Sequence, residues 1–270
     1  MNIFMRMIEV EAKRQRCQEI PWNHPLDFAH GQSPVRAMTK VAVVTPYFDE
    51  SLTVLSDCHL SVVSQSHRCL HVIVADGKPQ AAIDDWNAHH IKLPHCHNDV
   101  GSTPRLIGAY HAIGLGYDAI AFLDADNWFS SDHISQVVHV IQSRDPDFLS
   151  TSRFLCRPDK SIMSDCPYTD PKKFIDTSCM IFTKRSFYLL ANWVLMPKYG
   201  HPISDRIMLF YIRKAGLDHV HLEKNTVFYR CQKEGIYHHL GEEIPVGVAK
   251  APDYKLLFDL WVKDGHEPLL

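Results

Sequence analysis

Three short apolar runs, each closed by a polar group, restrict this chain more than any other feature. They are Lys40-Val41-Ala42-Val43-Val44-Thr45-Pro46, Leu70-His71-Val72-Ile73-Val74-Ala75-Asp76-Gly77 and Asp118-Ala119-Ile120-Ala121-Phe122-Leu123-Asp124-Ala125-Asp126. Continuous apolar runs of this length fit strands covered on both faces, and Pro46 stops the first of them. Between them lie helical patterns over Leu52–Ser64 and Pro104–Leu115, the latter with Pro104 suited to a first turn. Strand–helix alternation predicts a mostly parallel sheet with helices on both faces. Ligands of such sheets bind beyond the carboxyl ends of the strands. Thr45-Pro46-Tyr47, Asp76 and Asp124/Asp126 all fall on that edge.

The second half is less regular. Helices are expected over Ser131–Gln142, Arg185–Val194, from an opening stretch Gly200–Arg206 through Lys214, and over Ala251–Lys263. Strands are expected over Phe148–Phe154, Phe174–Thr183 and Thr226–Tyr229, with a shorter one at Ile91–Leu93 and a helical turn at Ile83–Ala88. Residues 156–173, with three prolines and many polar groups, read as a long loop. Residues 1–39 form an extension: a short amphipathic helix, then a Pro/Gly-marked linker. That helix is expected to pack on the domain, with a partner or a membrane surface as the alternative. The main domain then spans 40–250, divided near 130, and a C-terminal helix and tail occupy 251–270.

Composition narrows the class. The 270 residues carry 28 Lys+Arg against 31 Asp+Glu, a net charge of -3, without the basic excess of a nucleic-acid protein. No apolar run approaches the roughly 18 residues of a membrane span. The eight cysteines lack Cys-x-x-Cys spacing, and several sit in apolar runs, so they read as reduced, buried thiols of a cytoplasmic protein.

The acids at the end of the third run carry the chemistry. Residues i and i+2 of a strand share a side, so Asp124 and Asp126 are expected to converge. Two carboxylates there suit a divalent cation held against phosphate oxygens. Ser130, Ser131 and Asp132, by contrast, suit the cap of the next helix.

The order and spacing of five segments resemble family 2 glycosyltransferases: Val43-Val44-Thr45-Pro46-Tyr47-Phe48-Asp49-Glu50, Ser61-Val62-Val63-Ser64-Gln65, Val72-Ile73-Val74-Ala75-Asp76-Gly77, Arg105 within a helix, and Leu123-Asp124-Ala125-Asp126. The likeness is good over about 40–130 and looser to about 250. It implies a GT-A fold, a Rossmann-like nucleotide-binding half followed by an acceptor-binding half. It also implies an inverting, metal-dependent transfer from a nucleoside-diphosphate sugar, most simply a UDP-sugar, to an acceptor hydroxyl. Thr45, Pro46 and Tyr47 would lie at the nucleotide, with Pro46 and Tyr47 flanking the base and the Tyr47 ring offering a stacking face. Asp76 would accept from the base, and Arg105 would balance charge. Asp124 and Ala125 would reach the ribose or the metal, and Asp126 would bind Mn²⁺ or Mg²⁺. Glu50 fits an acidic position after the first strand.

Asp205 is the candidate general base, and a helix-capping acid is the equal alternative. Asp176 is a weaker rival. In Tyr237-His238-His239, His238 is the candidate third metal ligand. His95-Cys96-His97 reads as a polar loop. The loop 156–173 could close over the diphosphate, although a solvated charged loop is favoured. Lys78, Leu106 and Asn127 depart from the family pattern. A nucleotidyltransferase is a poorer fit, because Tyr47-Phe48-Asp49-Glu50 stands where such enzymes carry a basic, Gly-rich loop. A non-catalytic nucleotide-sugar binding module is the rival from another class.

Overall fold

The structure is a computed structural model and describes residues 38–168 and 170–269. The proposed extension helix lies outside these residues. Nine strands form one sheet in the order β3-β2-β1-β4-β8-β6-β9-β5, with β7 paired to β6. The first four, β1 (Val41–Tyr47), β2 (Leu70–Asp76), β3 (His89–Leu93) and β4 (Ala119–Phe122), are mutually parallel. β5 (Trp128–Phe129) runs antiparallel to β9 (His219–Arg230), which itself lies parallel to β6 (Phe148–Cys156). β8 (Met180–Thr183) is antiparallel to both β4 and β6 and joins the two halves.

Helices cover both faces, as the alternation requires. On one face α1 (Leu52–Val63), capped by the Ser51 hydroxyl, sets Cys58 and His59 against Thr45 and His71. On the other, α2 (Ser102–Gly114) brings Gly108 so close to β1 and β2 that a Cβ there would lie 2.5 Å from Val44 Cγ1. Only glycine permits that approach. α3 (His133–Arg144) adds Ile134, Val137, Val138 and Val140 to the core, and α5 (Ser204–Lys214) adds Ile207, Met208 and Ile212. A short helix α4 (Asn192–Leu195) buries Trp193 beside Phe122. α6 (Glu234–Leu240) and α7 (Tyr254–Lys263) complete the described chain.

Several local expectations change. The loop at 156–173 contains strand β7 (Ile162–Asp165), which forms a hairpin with β6. The strand expected over Phe174–Thr183 begins only at Met180, because Asp176 accepts from the Ser178 N–H and starts a 3-10 turn over Thr177–Cys179. Lys184–Ala191 is 3-10 rather than α-helical. The strand expected at Thr226–Tyr229 starts seven residues earlier, at His219, where it pairs along the length of β6. Its Glu-Lys-Asn centre conceals that length from a reading by apolar runs. The seven described cysteines are free thiols. No helix among the described residues is long and apolar enough to cross a membrane.

Candidate active site

At the carboxyl edge of β1, β2 and β4 lies a cleft of about 430 Å³. It brings together Pro46, Tyr47, Glu50, Asp76, Arg105, Asp124, Ala125 and Asp126, which the sequence had already singled out. Topology explains the convergence: three parallel strands deliver their last residues to one place, and α2 starts beside it.

Asp124 and Asp126 converge by another route than the expected one. β4 ends at Phe122, and the acids sit on a turn closed by the Asn127 N–H donating to the Asp124 carbonyl at 3.0 Å. Asp124 then receives Arg105 Nη2 at 2.5 Å. Arg105 is itself fixed by the Val100 carbonyl at 2.7 Å and lies over the Trp193 ring. Among the described residues Asp126 has no such cation. Burial, then the neighbouring Asp124 and Glu50 charges, push its carboxyl up to about 7.

Four segments lock this turn. Ser178 Oγ accepts from the Asp124 N–H at 3.1 Å and from Asn127 Nδ2 at 2.9 Å. Asn127 Oδ1 accepts from the Arg230 N–H at 2.9 Å. The Arg230 guanidinium donates to the carbonyls of Asp126 and Pro158 and reaches Asp57 on α1. Asn127 thus departs from the family pattern for a physical reason. Its amide must donate and accept at once while 1% exposed, and a carboxylate cannot donate.

Asp76 is shaped by a loop the sequence left as merely polar. His97 donates to it from its backbone N–H at 3.1 Å and faces it with Nδ1 at 2.5 Å, and the Cys96 thiol lies at 3.7 Å. Gly77 makes room for this loop: its φ is +84°, and a Cβ would meet Cys96 N at 2.5 Å. Cys96, Asn98, Asp99, Val100 and Gly101 line the cleft, as do Tyr229 near the end of β9 and Gln232 and Lys233 beyond it. Apart from Cys96, noted only as part of a polar loop, the loop residues among these carried no sequence signal, since they reach a site through backbone geometry rather than periodicity.

Two nucleotide-binding expectations are corrected. Strand alternation turns Thr45 inward, where it is 1% exposed and bonded to His71 Nε2 at 2.9 Å; it does not line the cleft. The Tyr47 ring follows it. Although Tyr47 borders the cleft, it is 2% exposed, packs with Leu55, Ile73 and Ile83, and accepts the Gln80 N–H at its hydroxyl. It forms wall rather than a stacking face. The neighbouring Phe48 is 37% exposed, with the Lys78 ammonium 4.2 Å above its ring.

Asp205 and His238 lie outside the cleft lining. Asp205 opens α5, half-buried, and burial pushes it up to about 6, with Arg206 pulling down and Asp176 pushing up. Asp176 lies between the two regions, held by Arg153 Nη1 and the Ser178 N–H. His238 is exposed on α6. In the segment 156–173, Arg157 pairs with Glu242 and the exposed Lys160 with Asp57, so these two side chains tie a solvated loop to the body of the fold.

The model of glycosyl transferase family 2 matches residues 42–191, more than half of the sequence. This chain belongs to that family. No curated protein matches it significantly. Among solved structures, S. aureus TarS is similar at 14% identity with a TM-score of 0.57, over 74% of this chain and 38% of TarS. S. aureus TarS 1-349 in complex with UDP is 13% identical, with a TM-score of 0.56, over 75% of this chain and 63% of that one. The same protein in complex with UDP-GlcNAc is 12% identical, with a TM-score of 0.55, over 86% and 68%. At such identities the likeness establishes the family fold and no more. The present chain spans well under half of the full TarS chain.

Whether a divalent cation suits this family 2 site follows from its donors. Among the described residues no three His, Cys, Asp or Glu side chains gather closely enough to hold a metal alone. Mg²⁺ and Mn²⁺ at phosphate sites commonly take one or two carboxylates and fill the rest of their shell with phosphate oxygens and water. Asp126, acidic, unpaired and facing the cleft, fits that part.

Proposed function

We propose that the protein transfers a sugar from a UDP-sugar to an acceptor hydroxyl, with inversion and with a divalent cation at Asp126. The observation that carries this reading is the charge of the cleft. Glu50, Asp76, Asp99, Asp124 and Asp126 face only Arg105 and Lys233, and Arg105 is already paired with Asp124. A diphosphate would be repelled from such a site without an added cation. Mn²⁺ or Mg²⁺ would supply Lewis-acid stabilisation of the leaving diphosphate.

The chain's own residues do the rest. Asp76, oriented by His97, presents a carboxylate suited to a base N–H such as uracil's. Phe48, rather than the packed Tyr47, supports the base. Arg105 holds Asp124 toward the ribose side. The acceptor O–H bond breaks as its proton passes to Asp205. The oxygen's electron pair forms the new bond to the anomeric carbon, and the bond to the diphosphate breaks with its electrons leaving on the diphosphate. Attack opposite the leaving group inverts that centre. Asp205 suits the base role better than Asp176: a pKa near neutrality favours proton transfer, and its one side-chain hydrogen bond is from the Arg206 N–H, whereas Arg153 and Ser178 occupy Asp176. His238 would need α6 to move before serving as a ligand.

UDP release from UDP-sugars, assayed with and without Mn²⁺ for wild type and Asp126→Asn, tests the proposal. Metal-dependent release in the wild type, lost in the variant, supports it. UDP binding with no turnover on any acceptor would favour a binding module instead.

A further inference from the structure

Around Asp205 lies a second assembly that the donor cleft does not use. Phe174 is flanked by two guanidiniums, Arg153 at 5.2 Å and Arg206 at 4.6 Å from its ring centre. They differ in one respect. Arg153 is buried and neutralised by Asp176. Arg206 has no carboxylate within ion-pair distance among the described residues and makes no side-chain hydrogen bond there, and none of its nitrogens is sealed from solvent. It also lies 5.7 Å from the Phe258 ring. Tyr168 meets Phe174 edge-on at 5.8 Å, and Tyr254 leans on Phe258 at 6.5 Å. These two tyrosines are 48% and 41% exposed, and the Tyr254 phenol feels the charges of Asp205, Arg206 and Tyr168 together.

Resting on the glycosyltransferase reading, the geometry points to this platform as the acceptor site, and to an acceptor that is a sugar carrying an anionic group, carboxylate or phosphate. An arginine stacked on aromatic faces keeps its N–H edge free, in the planar fork that matches carboxylate and phosphate oxygens. Exposed tyrosines offer flat faces to the C–H side of a sugar ring and hydroxyls to its rim. Asp205, next in sequence to Arg206, would then meet a hydroxyl of the ring whose charged substituent Arg206 holds.

The test titrates methyl β-glucoside, methyl β-glucuronide and glucose 6-phosphate into the UDP- and Mn²⁺-bound protein, followed by saturation-transfer NMR. One or both charged sugars should bind about fivefold or more tighter than the glucoside, as one charge-assisted pair allows, and which of them does so tells carboxylate from phosphate. Arg206→Gln should reduce the preference to below about twofold, and Arg206→Lys should keep part of it. Tyr168→Ala should weaken all three sugars. UDP affinity, measured separately, should be unchanged throughout. Equal affinity for the three sugars, no binding of any, or a preference that survives Arg206→Gln would overturn the assignment. Should Arg206→Gln not fold, the wild-type preference must still collapse when salt rises to about 0.5 M, and persistence would overturn it equally. Failure of UDP itself to bind would instead sink the donor reading.

Discussion

At the scale of single residues, the site is set by which charges have partners. Asp124 has Arg105, Asp176 has Arg153, and Asp126 and Asp205 have none. Under the proposed mechanism, these acids without a cationic partner among the described residues are the ones that act. Asp205→Asn should lower turnover by about 10²- to 10⁴-fold, the usual worth of a general base, with little change in UDP affinity. Wild-type turnover should rise with pH through about 6, as Asp205 loses its proton, and level off above. The same variant should gain thermal stability. A carboxyl raised from 3.8 to about 6 in the folded state binds more protons there than in the unfolded chain between those pH values. Stability contributed by this position thus falls as pH rises from about 4 to 6. Asp205→Asn should melt higher than wild type at pH 7 by scanning calorimetry and indistinguishably below pH 4. A lower melting temperature at pH 7 would mean the carboxylate is structurally supported after all.

Elements decide how those residues meet. The acid turn owes its shape to Ser178 in the 3-10 turn before β8 and Arg230 at the end of β9, and to Asn127 between them. Asn127→Asp removes the amide donor and adds a fourth carboxylate beside Asp124, Asp126 and Glu50. It should cost about 1–3 kcal/mol, read from the urea midpoint, the usual penalty for a buried polar group left unsatisfied. Gly77→Ala should weaken UDP binding more than it weakens the fold. The added Cβ displaces the Cys96–His97 loop that orients Asp76, and the Gln80–Tyr47 contact beside it need not move. Isothermal titration against urea unfolding separates the two effects.

Legibility in the sequence follows the same division. β1, β2, β4, α1 and α2 were readable because buried parallel strands and amphipathic helices write their periodicity into the chain. Asp76, Arg105, Asp124 and Asp126 were readable because they punctuate those elements. The inward turn of Thr45 and of the Tyr47 ring was hidden because nearness to a strand end says nothing about which face a side chain takes. The grip of His97 on Asp76, the roles of Ser178 and Arg230, and the aromatic setting of Arg206 were invisible, since each acts across a long separation that local pattern cannot encode. The true length of β9 was hidden by its charged centre, which pairs at the bulged stretch of β6.

For the molecule as a whole, the parallel first half is a charged receptacle and the mixed second half closes it. The receptacle predicts a thermodynamic dependence. UDP alone, or Mn²⁺ alone, should raise the melting temperature little. Together, at about one hundred times the dissociation constant, they should stabilise by about 2.7 kcal/mol. Equal shifts from UDP with and without the cation would show that Lys233 and Arg105 suffice.

Arg230 has a final consequence in time. It stands 104 positions downstream of the carbonyl it grips. A ribosome making this chain releases the parallel strands first, so a nascent sheet can assemble while its mouth is still unfinished. The lining of the cleft is complete only once Tyr229, Gln232 and Lys233 have been added behind them.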